Sequence, residues 1–275
     1  MARSPLVLLP PSEGKAAGGT GAPWGPGAMT LDLDGQRGAV VTALVSAMRW
    51  NAERRSKLLG VKGDALAAAT AANREVRSSP TLPASERYTG VLYDALDAGS
   101  LRAVERRRLH DAVLVVSGLW GPVALDDPVP DYKLKMGATL PGVGRLATFW
   151  RDPLTTAVEE RATGRTVWNL LPNEHDAAWR PGPDLPQFRV RFLEPGRGGA
   201  LVAVSHWNKF LKGALVRWLV ANPGAGPDDL AGWQHPAGYR LDPARTEVDG
   251  SSTTLVLVAD RPAVLSVGKG VGSGS

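Results

Sequence analysis

The sequence predicts an α/β protein, a single body in which helices surround a mixed sheet, and three observations carry that expectation. Apolar runs of strand length, such as "AVLVVS" from Ala112 and "TTLVLVA" from Thr253, alternate with segments of helical periodicity. The late strand candidates stand next to one another in the chain, which points to a mixed rather than a purely parallel sheet. With 275 residues, 43% of them hydrophobic, the chain can fill a substantial core.

Taken in order, residues 5–9 read as the first strand, ended by Pro10 and Pro11. Residues 15–29 are a glycine-rich loop, expected to be mobile. Residues 36–58 set Val40, Leu44, Ala47 and Met48 at helical spacing; residues 64–76 form an alanine-rich helix and residues 87–98 a third. "AVLVVSGLWG" is a buried strand running into a glycine turn, and residues 145–161 are a helix opened by a Gly-x-Gly turn. "TVWNLLPNEHDAAW" reads as a strand and a short helix, "QFRVRFLE" and "ALVAVSH" as a hairpin of strands, and "WNKFLKGALVRWLVAN" as an amphipathic helix. "TTLVLVA" is the closing strand. The expected organisation is one domain over residues 1–267 and a flexible tail, "GKGVGSGS", at 268–275.

Composition excludes several function classes. There is no cysteine, hence no disulfide, thiolate metal site, cysteine nucleophile or peroxide-sensing thiol. The four histidines, at 110, 175, 206 and 235, are scattered, so neither a metal nor a cofactor is expected. No apolar run approaches the ~18 residues of a membrane span, and the start is a poor signal peptide, so a cytoplasmic location is expected. A net charge of +5 and a pI near 9.7 favour an anionic partner, mildly, because GC-rich coding also enriches arginine.

Several stretches bear on chemistry. "PPSEGK" at 10–15 puts Glu13 and Lys15 after the first strand, where α/β folds place their sites, although it lacks the spacing of a phosphate loop. Ser117 sits at a strand end. "DYKLKMG" gathers Tyr132, Lys133 and Lys135, a good anion-contacting loop or a solvated one. "NLLPNEH" supplies Asn169, Asn173, Glu174 and His175. Lys209 and Lys212 share a helix face, with Arg217 near the same stripe: a phosphate-binding surface or an ordinary basic face.

"LPGVG" at 140–144 resembles the turn of a DNA-binding helix-hairpin-helix. Gly142 and Gly144 would let backbone N–H groups meet a phosphate, with Arg145 beside them. The preceding residues, with two prolines and a glycine, do not look like a first helix. "LLGVKGDALAAA" from Leu58 has a helix on both sides, but its glycines stand one residue too far apart. Base excision by the helix-hairpin-helix glycosylase mechanism is not expected, since Leu146 stands where that mechanism needs a lysine and Gly164 near where it needs an aspartate.

In their order and spacing these pieces resemble the YaaA family of peroxide-stress proteins. They are "PPSEGK", "YTG" at 88–90, "SGLWG", "DYKLKMG", "FW" at 149–150, "NLLPNEH", the "KxxKGxxxRW" helix and "GYR" at 238–240. The chain departs from the family in "SERYTG" and in carrying His175 where relatives usually have tyrosine. The resemblance implies a cytoplasmic stress protein that limits iron-dependent oxidative damage and binds DNA in a basic cleft with a helix-hairpin-helix element. The implied DNA contacts are Gly142, Gly144, Arg145, Lys133, Lys209, Lys212 and Arg217. The alternative reading is an enzyme or a small-anion binder built on Glu13, Lys15, Ser117, Tyr132, Lys133, Asn173 and Glu174. It requires Glu13 and Glu174 to work on one substrate.

Overall fold

The structure is a computed structural model and describes residues 4–196, 198–204 and 207–259. The expected tail at 268–275 and His206 lie outside the described residues. The first strand, β1 (Leu6–Leu9), is four aliphatic residues with no exposed surface, as a strand covered on both faces requires. It lies between two parallel neighbours, β2 (Val113–Ser117) and, later in the chain, β4 (Val167–Asn169). β3 (Gly121–Ala124) returns antiparallel on the outer side of β2. β5 (Gln187–Pro195) continues the parallel set beside β4, and the short β6 (Leu201–Ala203) folds back on its end, making the hairpin expected there. β7 (Tyr239–Leu241), β8 (Glu247–Asp249) and β9 (Ser252–Ala259) complete a nine-stranded mixed sheet, with β9 parallel to β5 and antiparallel to β7 and β8.

The five parallel strands therefore lie in the spatial order second, first, third, fourth, fifth: β2-β1-β4-β5-β9. The direction of winding reverses between β1 and β4. At such a switch point the loops leaving adjacent carboxyl ends part to opposite sides and open a crevice. The loops that begin at Pro10 and Leu170 are those two loops.

The helices are α1 (Asp34–Ala47), α2 (Ala52–Leu59), α3 (Gly63–Arg74), α4 (Val91–Leu96), α5 (Ala103–Ala112), α6 (Arg151–Ala162) and α7 (Asn208–Ala221), with one-turn helices at Ala84–Arg87, Leu146–Phe149 and Asn173–Asp176. The helix expected over 36–58 is two helices. Asn51 breaks it, accepting a hydrogen bond from the Arg54 N–H at 3.0 Å as the N-cap of α2. The helix expected over 87–98 is likewise interrupted, at Gly90. α7 lies against α4 through Gly213: a Cβ there would stand 2.2 Å from the Leu92 carbonyl oxygen.

One core cluster reaches from Leu6 to Leu255 and encloses Trp120, Trp150 and Trp168. The loop at 15–29, expected to be mobile, is tied into it. The Arg87 guanidinium is fully buried and donates to the carbonyls of Ala16, Gly18 (2.7 Å) and Val129 (2.9 Å). Thr20 and Gly21 donate to Thr81 O, and Trp24 packs its ring 5.0 Å from that of Trp120. A buried guanidinium is stable only with its donors satisfied, so the loop carbonyls hold the arginine as much as it holds them.

The "LPGVG" expectation is overturned. Thr139–Leu140 and Gly144–Arg145 are two-residue antiparallel strands, and residues 141–143 are the turn between them. Gly142 and Gly144 take positive φ, 74° and 86°, as a tight β-turn requires. No helix precedes the turn, because Pro128, Pro130 and Gly137 leave that stretch extended. Two helices joined by a glycine turn occur at 58–63 instead. α2 ends on Gly60 in the left-handed conformation (φ 71°), and α3 starts at Gly63.

Candidate functional site

The loop after β1 is held by residues from three other motifs. Tyr93 Oη donates to Pro10 O at 2.8 Å, the Thr89 N–H donates to Ser12 Oγ at 3.0 Å, and Lys15 pairs through its backbone with Tyr88. "YTG" and its neighbour Tyr93 thus fix the path of "PPSEGK". Behind that loop, Tyr132 Oη lies 2.7 Å from Ser117 Oγ and 3.0 Å from Tyr88 Oη. Ser117 also accepts from the Leu119 and Trp120 N–H groups, and the Trp150 indole donates to Gly118 O at 2.9 Å. Burial pushes the Tyr132 phenol up to about 12, so the triad is a neutral, fixed wall.

Against that wall stands Lys15. Its Nζ is 4.2 Å from the centroid of the Tyr132 ring and 3.3 Å from Ser12 O. Burial pushes its amine down to about 8; Lys133 and Arg87 push the same way, while Asp131 and Glu13 oppose. It faces a cavity of about 370 Å³, lined also by Glu13, Lys133, Lys135, Glu174, His175 and the turn Leu59–Gly60–Val61. Burial lowers the pKa of His175, with Glu174 opposing.

A second recess, of about 660 Å³, continues on the other side of Glu174 and is lined by Asn173, Arg189, Arg191, Lys209 and Lys212 among others. Lys209 Nζ meets Glu13 Oε1 at 3.1 Å, so an exposed ion pair spans the two recesses and holds the Glu13 carboxyl below its ordinary pKa. Lys212 donates to Leu170 O at 3.0 Å. Burial and then Arg189 push its amine down to about 8, against Asp176. Asn169 secures the β4 loop, donating to Asp176 at 2.8 Å and accepting from the Leu171 N–H at 3.1 Å. Glu174 accepts from the Gly137 N–H and so ties "NLLPNEH" to "DYKLKMG".

The cleft thus brings together Glu13, Lys15, Tyr132, Lys133, Asn173 and Glu174 with Lys209 and Lys212, and Ser117 supports it from behind. Arg217 is elsewhere, donating to Leu96 O and Asp97 O at the end of α4. Gly142, Gly144 and Arg145 are exposed on the β-hairpin and line neither recess. Sequence reasoning missed Asn73. On α3 and fully buried, it accepts from the Lys133 N–H at 2.9 Å and donates to Lys133 O at 2.8 Å, clamping that peptide to the α2–α3 pair. A larger recess at Trp218 and Trp233 has Asp229 as its one charged lining residue. Among the described residues, no group of three or more His, Cys, Asp or Glu is placed to share a metal ion, and no helix is long and apolar enough to cross a membrane.

Fold and cleft define a mixed-sheet α/β protein whose two adjoining recesses, at the carboxyl ends of β1 and β4, are strongly basic: seven cationic side chains around two carboxylates. The model of the family "Peroxide stress protein YaaA" matches residues 6–245, and the chain belongs to that family. It is similar to the UPF0246 protein of Streptomyces coelicolor, 40% identical over 240 residues, covering 86% of this chain and 92% of that one. The UPF0246 protein of Corynebacterium efficiens is 33% identical over 220 residues (79% and 86%), and that of Laribacter hongkongensis 30% over 179 residues (63% and 67%).

Proposed function

We propose that this peroxide stress protein is a cytoplasmic DNA-binding protein whose basic cleft holds the phosphate backbone and which limits iron-dependent oxidative damage by shielding the DNA it covers. One observation carries the reading: Lys15, Lys133 and Lys135 line one recess together with the glycine turn of a helix pair, α2 and α3, and Lys209, Lys212, Arg189 and Arg191 line the recess that adjoins it across Glu174. Lysines in a concave site concentrate polyanions, and a helix pair joined by a glycine turn offers backbone N–H groups to a phosphate. On this reading the lysines meet phosphate rather than base edges, so binding is expected to follow backbone and shape.

The test is fluorescence anisotropy of a labelled duplex across a salt series, with Lys133→Ala/Lys209→Ala/Lys212→Ala beside wild type. Every phosphate that is no longer neutralised by a lysine flattens the slope of log K against log salt by about 0.9. The triple variant therefore binds more weakly and with a shallower slope; unchanged affinity and slope would overturn the reading.

A second reading, a pocket for a small anionic ligand, is favoured by one feature of Lys15. Its amine is drawn in against Tyr132 rather than extended to solvent, with a cavity of ligand size in front of it.

A further inference from the structure

We propose that Lys15 is an imine-forming amine that captures the aldehyde of a phosphate-bearing substrate in the cavity at the end of β1. Four observations support this. The amine has a fixed seat: its backbone is paired to Tyr88, Ala16 N donates to Arg87 O at 3.0 Å, and its Nζ rests on the Tyr132 ring. It makes no ion pair with a carboxylate among the described residues; its hydrogen bond is to Ser12 O. It opens on a cavity of about 370 Å³, enough for a pentose phosphate. The other lining residues divide the remaining work, with Lys133 and Lys135 available for phosphate and Glu13 and Glu174 for proton transfer.

A lysine that only neutralises phosphate is best left protonated at the surface. Burial beside Lys133 and Arg87 makes this one a nucleophile instead. With its pKa at about 8, roughly one Lys15 amine in five is neutral at pH 7.4, against about one in a thousand for an ordinary lysine.

The step balances without an oxidant or reductant. Neutral Nζ attacks the carbonyl carbon, forming the C–N bond, and the carbonyl π pair moves to oxygen, which takes a proton. The carbinolamine then loses its hydroxyl as water, using one further proton, while nitrogen gives up its own, and the C=N bond forms. Addition of one water later releases aldehyde and amine. Two sources carry this chemistry. One is an abasic site in DNA, whose open-chain sugar exposes a C1′ aldehyde between two phosphates and has no base to unstack before entering a cavity. The other is a free aldehyde phosphate. The first source rests on the DNA-binding reading; the second does not.

The experiment uses the full chain with two probes, a duplex bearing one abasic site and pyridoxal 5′-phosphate, each reduced with cyanoborohydride. The modified lysine is then found by peptide mass mapping, and an intact duplex reports binding in parallel. Wild type is expected to carry its adduct at Lys15. Lys15→Arg, which keeps the charge and removes the nucleophile, is expected to lose the adduct mapped at that position, with no compensating adduct at Lys212, whose amine is pushed down to about 8 as well. Should that variant unfold, the wild-type map decides alone. Trapping of the abasic duplex assigns the DNA source, and trapping of pyridoxal phosphate alone assigns the free one. Trapping of pyridoxal phosphate without binding to intact duplex sinks the DNA-binding reading and leaves this one. Adduct spread over Lys133, Lys135, Lys209 and Lys212 but not Lys15, or no adduct with either probe while intact duplex is bound, overturns it.

Discussion

Two glycine turns in this chain, at 58–63 and at 140–144, have similar sequences and opposite settings. "LPGVG" has the tighter glycine spacing, yet it closes a two-residue β-hairpin on an exposed edge. "LLGVKG" has the looser spacing, yet it joins two helices and lines the basic cleft. Glycine spacing states only where the backbone can turn left-handed. What the turn joins is set by the residues before it. Ahead of the first glycine of one turn run Ala52–Leu59, good helix formers capped by Asn51; ahead of the other run the prolines of "DDPVPDYKLKMG".

The comparison is broken most severely at Asn73, which ties the α2–α3 pair to the Lys133 peptide and has no counterpart at the other turn. Asn73→Ala removes the fully buried partner of the part-buried Lys133 N–H and carbonyl and is expected to cost about 2 kcal/mol in urea denaturation. A loss under about 0.5 kcal/mol would mean that the clamp holds nothing.

A smaller effect, read in binding, comes from Gly60→Val. The left-handed φ of 71° strains a β-branched residue by about 1–2 kcal/mol, and duplex affinity is expected to fall about tenfold. Gly142→Val/Gly144→Val strains the other turn similarly and is expected to leave affinity within about twofold, checked by anisotropy on folded protein. A reversed pattern would return the DNA contact to "LPGVG".

The mildest test is pH. Lys15 and Lys212 hold pKa values of about 8, Lys15 between Asp131 and Glu13 on one side and Lys133 and Arg87 on the other, Lys212 between Asp176 and Arg189. Raising pH from 7 to 9 removes charge from both, so duplex affinity falls about threefold, where ordinary lysines would hold it until above pH 10. A flat titration would show that neither amine meets phosphate. Aldehyde trapping moves the opposite way over the same range, because the neutral amine reacts.

Much of the architecture was legible because it follows from local pattern. The buried runs at β1 and β2, the hairpin of β5 and β6, and the amphipathic α7 all declare themselves within a few residues. The site was legible in part for the same reason. Glu13, Lys15, Ser117, Asn173 and Glu174 sit at or just after strand ends, where chain order alone marks a crevice. What failed was long-range. Asn73 in an alanine-rich helix reads as an ordinary surface residue, and its partner lies 60 residues away. Arg217 reads as part of a cationic stripe with Lys209 and Lys212, but packing of α7 on α4 turns it to the carbonyls of Leu96 and Asp97. The breaks at Asn51 and Gly90 are short capping signals inside longer periodic runs, so the period hides them.

The buried Arg87 has a consequence for how the chain meets solvent and enzymes. Its guanidinium converts a stretch with the composition of a linker into a fixed wall beside Lys15. The amides of Ala16, Thr20 and Gly21 are engaged to Arg87 O and Thr81 O, so they exchange hydrogen for deuterium only when that wall opens. Trypsin, which cuts after lysine where the backbone is free to enter its site, is kept from the Lys15–Ala16 bond by the same hydrogen bonds, and the onset of cleavage there reports opening of the cleft before unfolding of the sheet.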